Sequence, residues 1–366
     1  MRRVPVLPVQ GLRLPGGRMR PMRSLALLAL LCSSNVAMAA NVAGATTAPA
    51  TTGNPAPPAP DGVKQLQKVV VSGVQSGPGL WKVSNGAHDL WILGLVSPVP
   101  RKMDWYSPQA EARLAEAQEL IGQPQVVATV GLGSAFKLAF AMPAILRARR
   151  NPDDKALREV LPAELYERWR GLKAVYLPDD DDVEDWRPSF AASTLYEAAL
   201  KSAGLENGHR INARINDLAD KRKLRRTSAT ISFKIESPRG MAKSFANAKV
   251  DEVACFRSVL DQLDADVSDA ADRANAWAVG DVTALTRLVH ADDDSCLEAF
   301  TQVEAVRELG IQDAVPRAEQ KWLAAVDAAL ATNATTFTTL PMPMLLADDG
   351  LLARLRAKGY AITPPE

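Results

Sequence analysis

The chain has 366 residues, with 43 Lys and Arg set against 42 Asp and Glu, and three histidines. That length suits one large domain or two modest ones. The balanced charge argues against a polyanion partner such as nucleic acid, and three histidines are too few for a His-rich metal site.

Residues 22–40 read MRSLALLALLCSSNVAMAA. Arg23 supplies a charged start, Leu25 to Cys32 an apolar stretch, and Ala37-Met38-Ala39 a small-residue cleavage site. The pattern predicts a secretory signal peptide over residues 1–39, with Met22 as the expected start; the apolar stretch is too short to span a membrane. Leu31, just before Cys32, is too large for a lipoprotein signal. Losing the six arginines of residues 1–39 would leave 37 basic against 42 acidic residues, a net of −5. The expected location is periplasmic or secreted, with no transmembrane segment in the mature chain.

Residues 40–62 are rich in Ala, Thr and Pro and cannot bury a core, so they are expected to be a disordered linker before a domain over 63–366. Two cysteines would remain in the mature chain, Cys255 and Cys296. An oxidising compartment predicts a disulfide between them. Its loop of 41 residues would contribute about 3–4 kcal/mol by chain entropy. The alternative is two buried free thiols.

Leu66 to Val74 is β-branched and reads as a strand. Leu80–Val83 and Leu90–Leu93 flank Asn85-Gly86, a hairpin signal. Ser107-Pro108 opens a helix expected to run through Leu120. Gln125–Val130 reads as a core strand. Phe136–Arg150 reads as a core helix kinked at Pro143, in preference to a membrane-surface helix. Leu161 to Lys173 and Ser189 to Ala203 are further helices. Between them Asp179–Asp182, Glu184 and Asp185 lack the alternation and turn glycine of a calcium loop, so a solvated loop is expected. After the Asn207-Gly208 turn, Ile211, Ile215 and Leu218 share one helix face. The basic run Lys221–Arg226 has no interleaved aromatics and reads as an exposed helix end. Thr227–Ile235 alternates as a half-buried strand.

Pro238 to Leu330 reads as helical, with Gly280 as a left-handed cap and Asp281 as the next N-cap. Thr335–Leu340 is a strand that the turn Pro341-Met342-Pro343-Met344 ends. A helix carrying Leu351, Leu352 and Leu355 follows and stops at Gly359. The fold class is α/β: a mixed central β-sheet with helices packed around it and a largely helical insertion and C-terminal half. His88 lies in a hairpin turn, His209 reads as structural, and His290 beside Asp292–Asp294 as an exposed loop.

The closing stretch, with its acidic Gly350-Leu351-Leu352 helix ending in Gly359-Tyr360, resembles the end of the TraB/GumN family, to which the Tiki proteases are related. The opening LWKVSNGAHDLWILGLVSPVP resembles that family's first motif, and Ala276–Leu288 its Trp-x-x-Gly-Asp junction. The resemblance implies two Gly-x-x-His motifs and a glutamate, which would hold a metal or serve as a base for hydrolysis. Here Gly94 is kept, but the histidine positions fall on Ser97 and Met344, and the second glycine on Pro341. The glutamate's strand reads Val-Ala-Thr-Val over Val127–Val130. Ala318 and Glu319 stand where the family carries Arg-Asn.

No catalytic set and no cofactor is therefore expected. The first reading is a catalytically degenerate envelope protein that binds a peptide or small apolar ligand through Ser97, Met342 and Met344, unless the methionines merely plug the cleft as core. The alternative is an active hydrolase with relocated residues, Ser97 acting as nucleophile with one of the three histidines as base.

Overall fold

The computed structural model describes residues 78–103, 107–130, 134–288 and 295–365. The signal peptide, the linker, the strand expected at residues 66–74, His290 and Asp292–Asp294 lie outside them.

The hairpin forms as its Asn-Gly signal requires: β1 (Leu80–Ser84) pairs antiparallel with β2 (Asp89–Leu95). A two-residue strand β3 (Val99–Pro100) and helix α1 (Pro108–Glu116) follow. Ser107 caps α1 by accepting from the Ala110 N–H, with Pro108 at the first helical turn. The helix does not reach Leu120. It stops at Glu116, and Glu119–Ile121 forms a buried strand, β4. The Gln118 N–H leaves the helix to donate to the Thr335 carbonyl, and Gly122 and Pro124 bar any return to helix.

Strand β5 (Gln125–Val130) is not a core strand. It pairs parallel with β8 (Thr230–Ile235) in a separate two-stranded sheet, and only Val126 of β5 is buried. Helix α2 (Ser134–Ala148) follows β5 and carries Pro143 internally. It buries Ala141, Ile145 and Ala148 but leaves Phe140 75 % exposed.

Helices α3 (Leu157–Val160), α4 (Ala163–Tyr176) and α5 (Pro188–Ser202) build a second core around Trp169, Leu195 and Phe256. Three members of the acidic cluster between α4 and α5 have local partners. Asp181 pairs with Lys173 at 2.9 Å, Asp185 with Arg150 at 2.7 Å, and Glu184 accepts from Trp169 Nε1.

Strand β6 (Leu205–Glu206) pairs with β3 and leads into α6 (His209–Lys221), whose Ile211, Ile215 and Ala219 are buried. The basic run after it is not a plain helix end: Arg225–Thr227 is β7, an edge strand of the main sheet. Helices α7 (Pro238–Asn247), α8 (Val253–Val279), α9 (Val282–Leu288), α10 (Ser295–Thr301), α11 (Glu304–Glu308) and α12 (Ala314–Thr332) complete the helical part.

Gly280 ends α8 at φ 75°, in the left-handed region that favours glycine, and Asp281 caps α9 through the Ala284 N–H. Cys255 on α8 and Cys296 on α10 form a disulfide. A buried ion pair, Arg187 Nε to Glu252 Oε1 at 2.5 Å, ties the start of α5 to the start of α8.

The chain returns to the main sheet through β9 (Thr335–Pro341). The Pro-Met-Pro-Met segment is not an irregular turn but the short helix α13 (Met342–Leu346), because a proline fits the first turn of a helix, where its missing N–H has no partner to lose. Helix α14 (Leu351–Ala357) ends before Gly359 at φ 92°, and β10 (Ala361–Thr363) closes the fold against β1.

The sheet order is β10-β1-β2-β9-β4-β7, with β2, β9, β4 and β7 mutually parallel and β1 antiparallel to both its neighbours. The fold is thus α/β with a mixed central sheet. Strand β9 is buried from Thr336 to Leu340, as a central parallel strand is. Its threonines need partners there and find them: Thr338 Oγ1 donates to the Ile121 carbonyl at 2.8 Å and Thr339 Oγ1 to Asn212 Oδ1 at 2.9 Å.

Candidate functional site at the carboxyl ends of the parallel strands

Ligands of open α/β sheets bind outside the carboxyl ends of the parallel strands. The register of β2 and β9 places Gly94 opposite Leu340 and Leu95 opposite Pro341. Ser97 stands two residues beyond Leu95, and Met342–Met344 directly beyond Pro341. The two segments singled out in the sequence therefore emerge side by side from neighbouring strands.

Gly94 is held from three directions. A Cβ built on it would lie 2.7 Å from both Met342 Cε and Sδ and 2.9 Å from Trp81 Cζ3, so any larger residue would force these side chains to shift. Its carbonyl accepts a 2.7 Å hydrogen bond from Trp277 Nε1 on α8. The tryptophan of the Trp-x-x-Gly-Asp junction thus fastens the helical part of the chain to the glycine of the first motif. Gly350 is similarly confined. Its absent Cβ would meet the Ala347 and Met344 carbonyls at 2.8 and 2.9 Å, which lets the chain after α13 fold back on itself.

The exposures of the expected contact residues differ. Ser97 is exposed, Met344 is half-buried against the main core, and Met342 is 2 % exposed. Met342 therefore forms the floor over Gly94, and Met344 and Ser97 form the accessible part. Pro341 is the last residue of β9. Val127–Val130 lie on the separate β5–β8 sheet; the strand beside β9 is β4.

The residue that continues β4 is Gln123, two positions past the Ile121–Thr338 pair and so level with Leu340 and Gly94. It is 6 % exposed, and its Oε1 has no hydrogen-bond partner among the described residues. Sequence reasoning passed over it because the preceding strand was read as helix. The Gly122-Gln123-Pro124 break was the available signal.

The opposite, amino-terminal edge of the same strands carries charge that is fully engaged. Glu119 is 5 % exposed. Its Oε1 accepts from the Thr227 hydroxyl, and its Oε2 from Arg225 Nη2 and Asn333 Nδ2, each at 2.7 Å. Burial pushes the Glu119 carboxyl up. The hydrogen bonds from Thr227, Arg225 and Asn333, with the Arg225 charge, outweigh that and hold it below its ordinary value. His88 belongs to this edge and is not merely a solvated turn residue: its Nδ1 donates to the Asn333 carbonyl at 2.7 Å. The seven residues of β2, about 20 Å of strand, separate it from Ser97.

His209 lies nearer to Ser97. A Cβ on the preceding Gly208 would be 2.4 Å from the Val96 carbonyl, so the start of α6 rests on the end of β2. His209 is exposed, and no hydrogen bond joins it to Ser97 among the described residues.

A metal of the kind expected from the resemblance does not fit these donors. A neutral serine hydroxyl binds divalent cations weakly, and a thioether is a soft ligand suited to Cu(I). Among the described residues no three His, Cys, Asp or Glu side chains converge as a cation site. Ala318 is buried and Glu319 is paired with Arg354 at 2.5 Å, so neither is available to a ligand at the strand ends.

The profile of the TraB/PrgY/gumN family matches residues 79–364, most of the chain, and the protein belongs to that family. No curated protein and no solved structure matches it.

Proposed function

We propose that this chain is an exported member of the family that binds through the strand-end site and does not catalyse there. One observation carries the reading. The segments bearing Ser97 and Met344, which the family resemblance aligns with two imidazoles, emerge just beyond the ends of adjacent parallel strands, around a framework of Gly94, Trp277 and Gly350. A serine and a thioether supply neither a metal-activated water nor a proton acceptor near neutrality. They suit contact with a peptide or small apolar ligand, with Met344 as the adaptable apolar surface and Gln123 as the polar group that orients the ligand. Export is supported by the signal-like segment before residue 40 and by the Cys255–Cys296 disulfide, which an oxidising compartment favours. Among the described residues no helix is long and apolar enough to cross a membrane.

The test is an assay of the purified mature chain on casein, peptide and ester substrates, with and without added Mn²⁺ or Zn²⁺, alongside its metal content. No turnover and no stoichiometric metal is the expected result; metal-dependent turnover overturns the reading. A second reading, hydrolysis by Ser97, is favoured only by the packing of Gly208 on Val96, which brings His209 toward Ser97. Turnover that survives in both Ser97→Ala and His209→Gln removes it.

A further inference from the structure

Beside the end of β2 lies a surface cavity of about 200 Å³ that none of the sequence motifs foreshadows. One wall is the segment after Ser97, through Val99, Pro100 and Met103; the other is the first two turns of α6, through Ile211, Arg210 and Arg214. Glu206 closes one side. The walls are fixed to each other: Val99 pairs with Glu206 and Pro100 with Leu205, Gly208 packs on the Val96 carbonyl, and the Arg101 N–H donates to the Gly204 carbonyl at 2.9 Å. The cavity is thus a feature of the packed fold.

Its chemistry divides in two. The floor of Val99, Pro100, Met103 and Ile211 is apolar. The rim carries two guanidinium groups, each already beside one carboxylate: Arg210 by Glu206 and Arg214 by Glu111. Arg210 donates through one nitrogen, Nη1, to the Arg101 carbonyl and to Glu206; the Glu206 contact is a loose 3.3 Å. Its side chain is 64 % exposed, and a pair that open contributes little stability and can be exchanged for another carboxylate. Arg214 is held upright by Glu111, which stands outside the cavity wall, at 2.6 Å. A guanidinium presents five donors in a fixed fork that matches a carboxylate.

We propose that this cavity binds a carboxylate carried on a small apolar group, the terminal residue of a peptide being the form that fits. The volume is below that of a drug-sized site and admits one residue. This extends the binding reading of the strand-end site without requiring it, because none of its lining residues belongs to that site.

The probes are N-acetyl-leucine and its uncharged analogue N-acetyl-leucinamide, titrated into the full mature chain carrying ¹³C-methyl methionine. Met103 reports on this cavity, and Met342 and Met344 report on the strand ends, so the two sites are read separately. The Met103 methyl should shift with N-acetyl-leucine, with an apparent affinity about tenfold above that for the amide, since a charge-assisted hydrogen bond is at stake. Arg210→Gln, an exposed position, should abolish that preference while leaving weak binding of both probes. An unmoved Met103 methyl, or equal response to both probes, overturns the proposal. A response of Met344 alone overturns it while supporting the strand-end site.

Discussion

Substituting Gly94→Ala is the sharpest test of the claim that the two motif segments meet. The added methyl would stand 2.7 Å from the Met342 thioether and 2.9 Å from the Trp81 ring. Non-bonded carbons prefer about 3.5–4.0 Å, so something must move by about 1 Å. Neither neighbour has room, since Met342 is 2 % and Trp81 3 % exposed. Overpacking of this kind costs about 1–3 kcal/mol. At about 2–4 °C per kcal/mol for domains somewhat smaller than this one, the melting temperature should fall by about 2–12 °C.

A second variant isolates the contact. Met342→Ala by itself should cost about 2–5 kcal/mol by emptying a buried site. Adding Gly94→Ala to it should then cost about 1 kcal/mol less than Gly94→Ala does in the native chain, because the thioether wall is gone while Trp81 remains. Urea denaturation of the four proteins measures the coupling. A neutral Gly94→Ala, or strict additivity in the double variant, would mean that Met342 does not lie over Gly94 and that the strand ends are not one site.

Three further outcomes follow from other parts of the fold. Glu119→Gln removes a buried carboxylate that accepts from Thr227, Arg225 and Asn333, and because Arg225 is largely exposed the cost should be about 1–3 kcal/mol near neutral pH. Because the Glu119 carboxyl is held below its ordinary value, its contribution is fully present above the unfolded-state pKa of about 4.5 and is lost as pH falls through the lower folded value. Acid titration of stability from pH 6 to 3 should therefore be shallower in the variant, and an unchanged slope refutes the assignment. Replacing both Cys255 and Cys296 by Ser should cost about 3–4 kcal/mol in denaturant, matched by adding reductant to the native chain; a smaller loss would place the constraint elsewhere. Gln123→Leu removes a buried acceptor that no described residue satisfies, so it should leave stability unchanged or raise it by about 1–3 kcal/mol while weakening binding at the strand ends. Marked destabilisation would assign Gln123 to the core.

The parts of the fold that depend on local chemistry were legible in the sequence. Asn85-Gly86, Ser107-Pro108, Gly280-Asp281 and Gly359 each need a particular backbone or capping group, and each does what its residue type requires. The misreadings share a cause. Glu119–Ile121 and Arg225–Thr227 are three-residue strands, too short to show any period, and pairing with β9 and with each other makes them strands. Gln125–Val130 has the composition of a core strand, yet its one partner is β8, and composition cannot reveal how many neighbours a strand will have. The site was half legible for the same reason. Ser97 and Met344 could be named from motif spacing, whereas Gln123 becomes visible only once β4 is known to lie beside β9.

The two edges of the sheet differ in how their polar groups are satisfied. At the amino-terminal edge a buried carboxylate is kept because Thr227, Arg225 and Asn333 satisfy every demand it makes. A catalytic group at the carboxyl edge cannot be satisfied so completely, since it must stay free to take a proton or hold a cation, and that freedom costs stability in a closed site. At the carboxyl edge methionines fill space by packing: Met342 covers Gly94, and Met344 lies against the core with part of its surface open. The framework of Gly94, Trp277 and Gly350 supports the fold, so its presence says nothing about turnover. Only the groups at the strand ends speak to that, and the proposed binding reading rests on their chemistry.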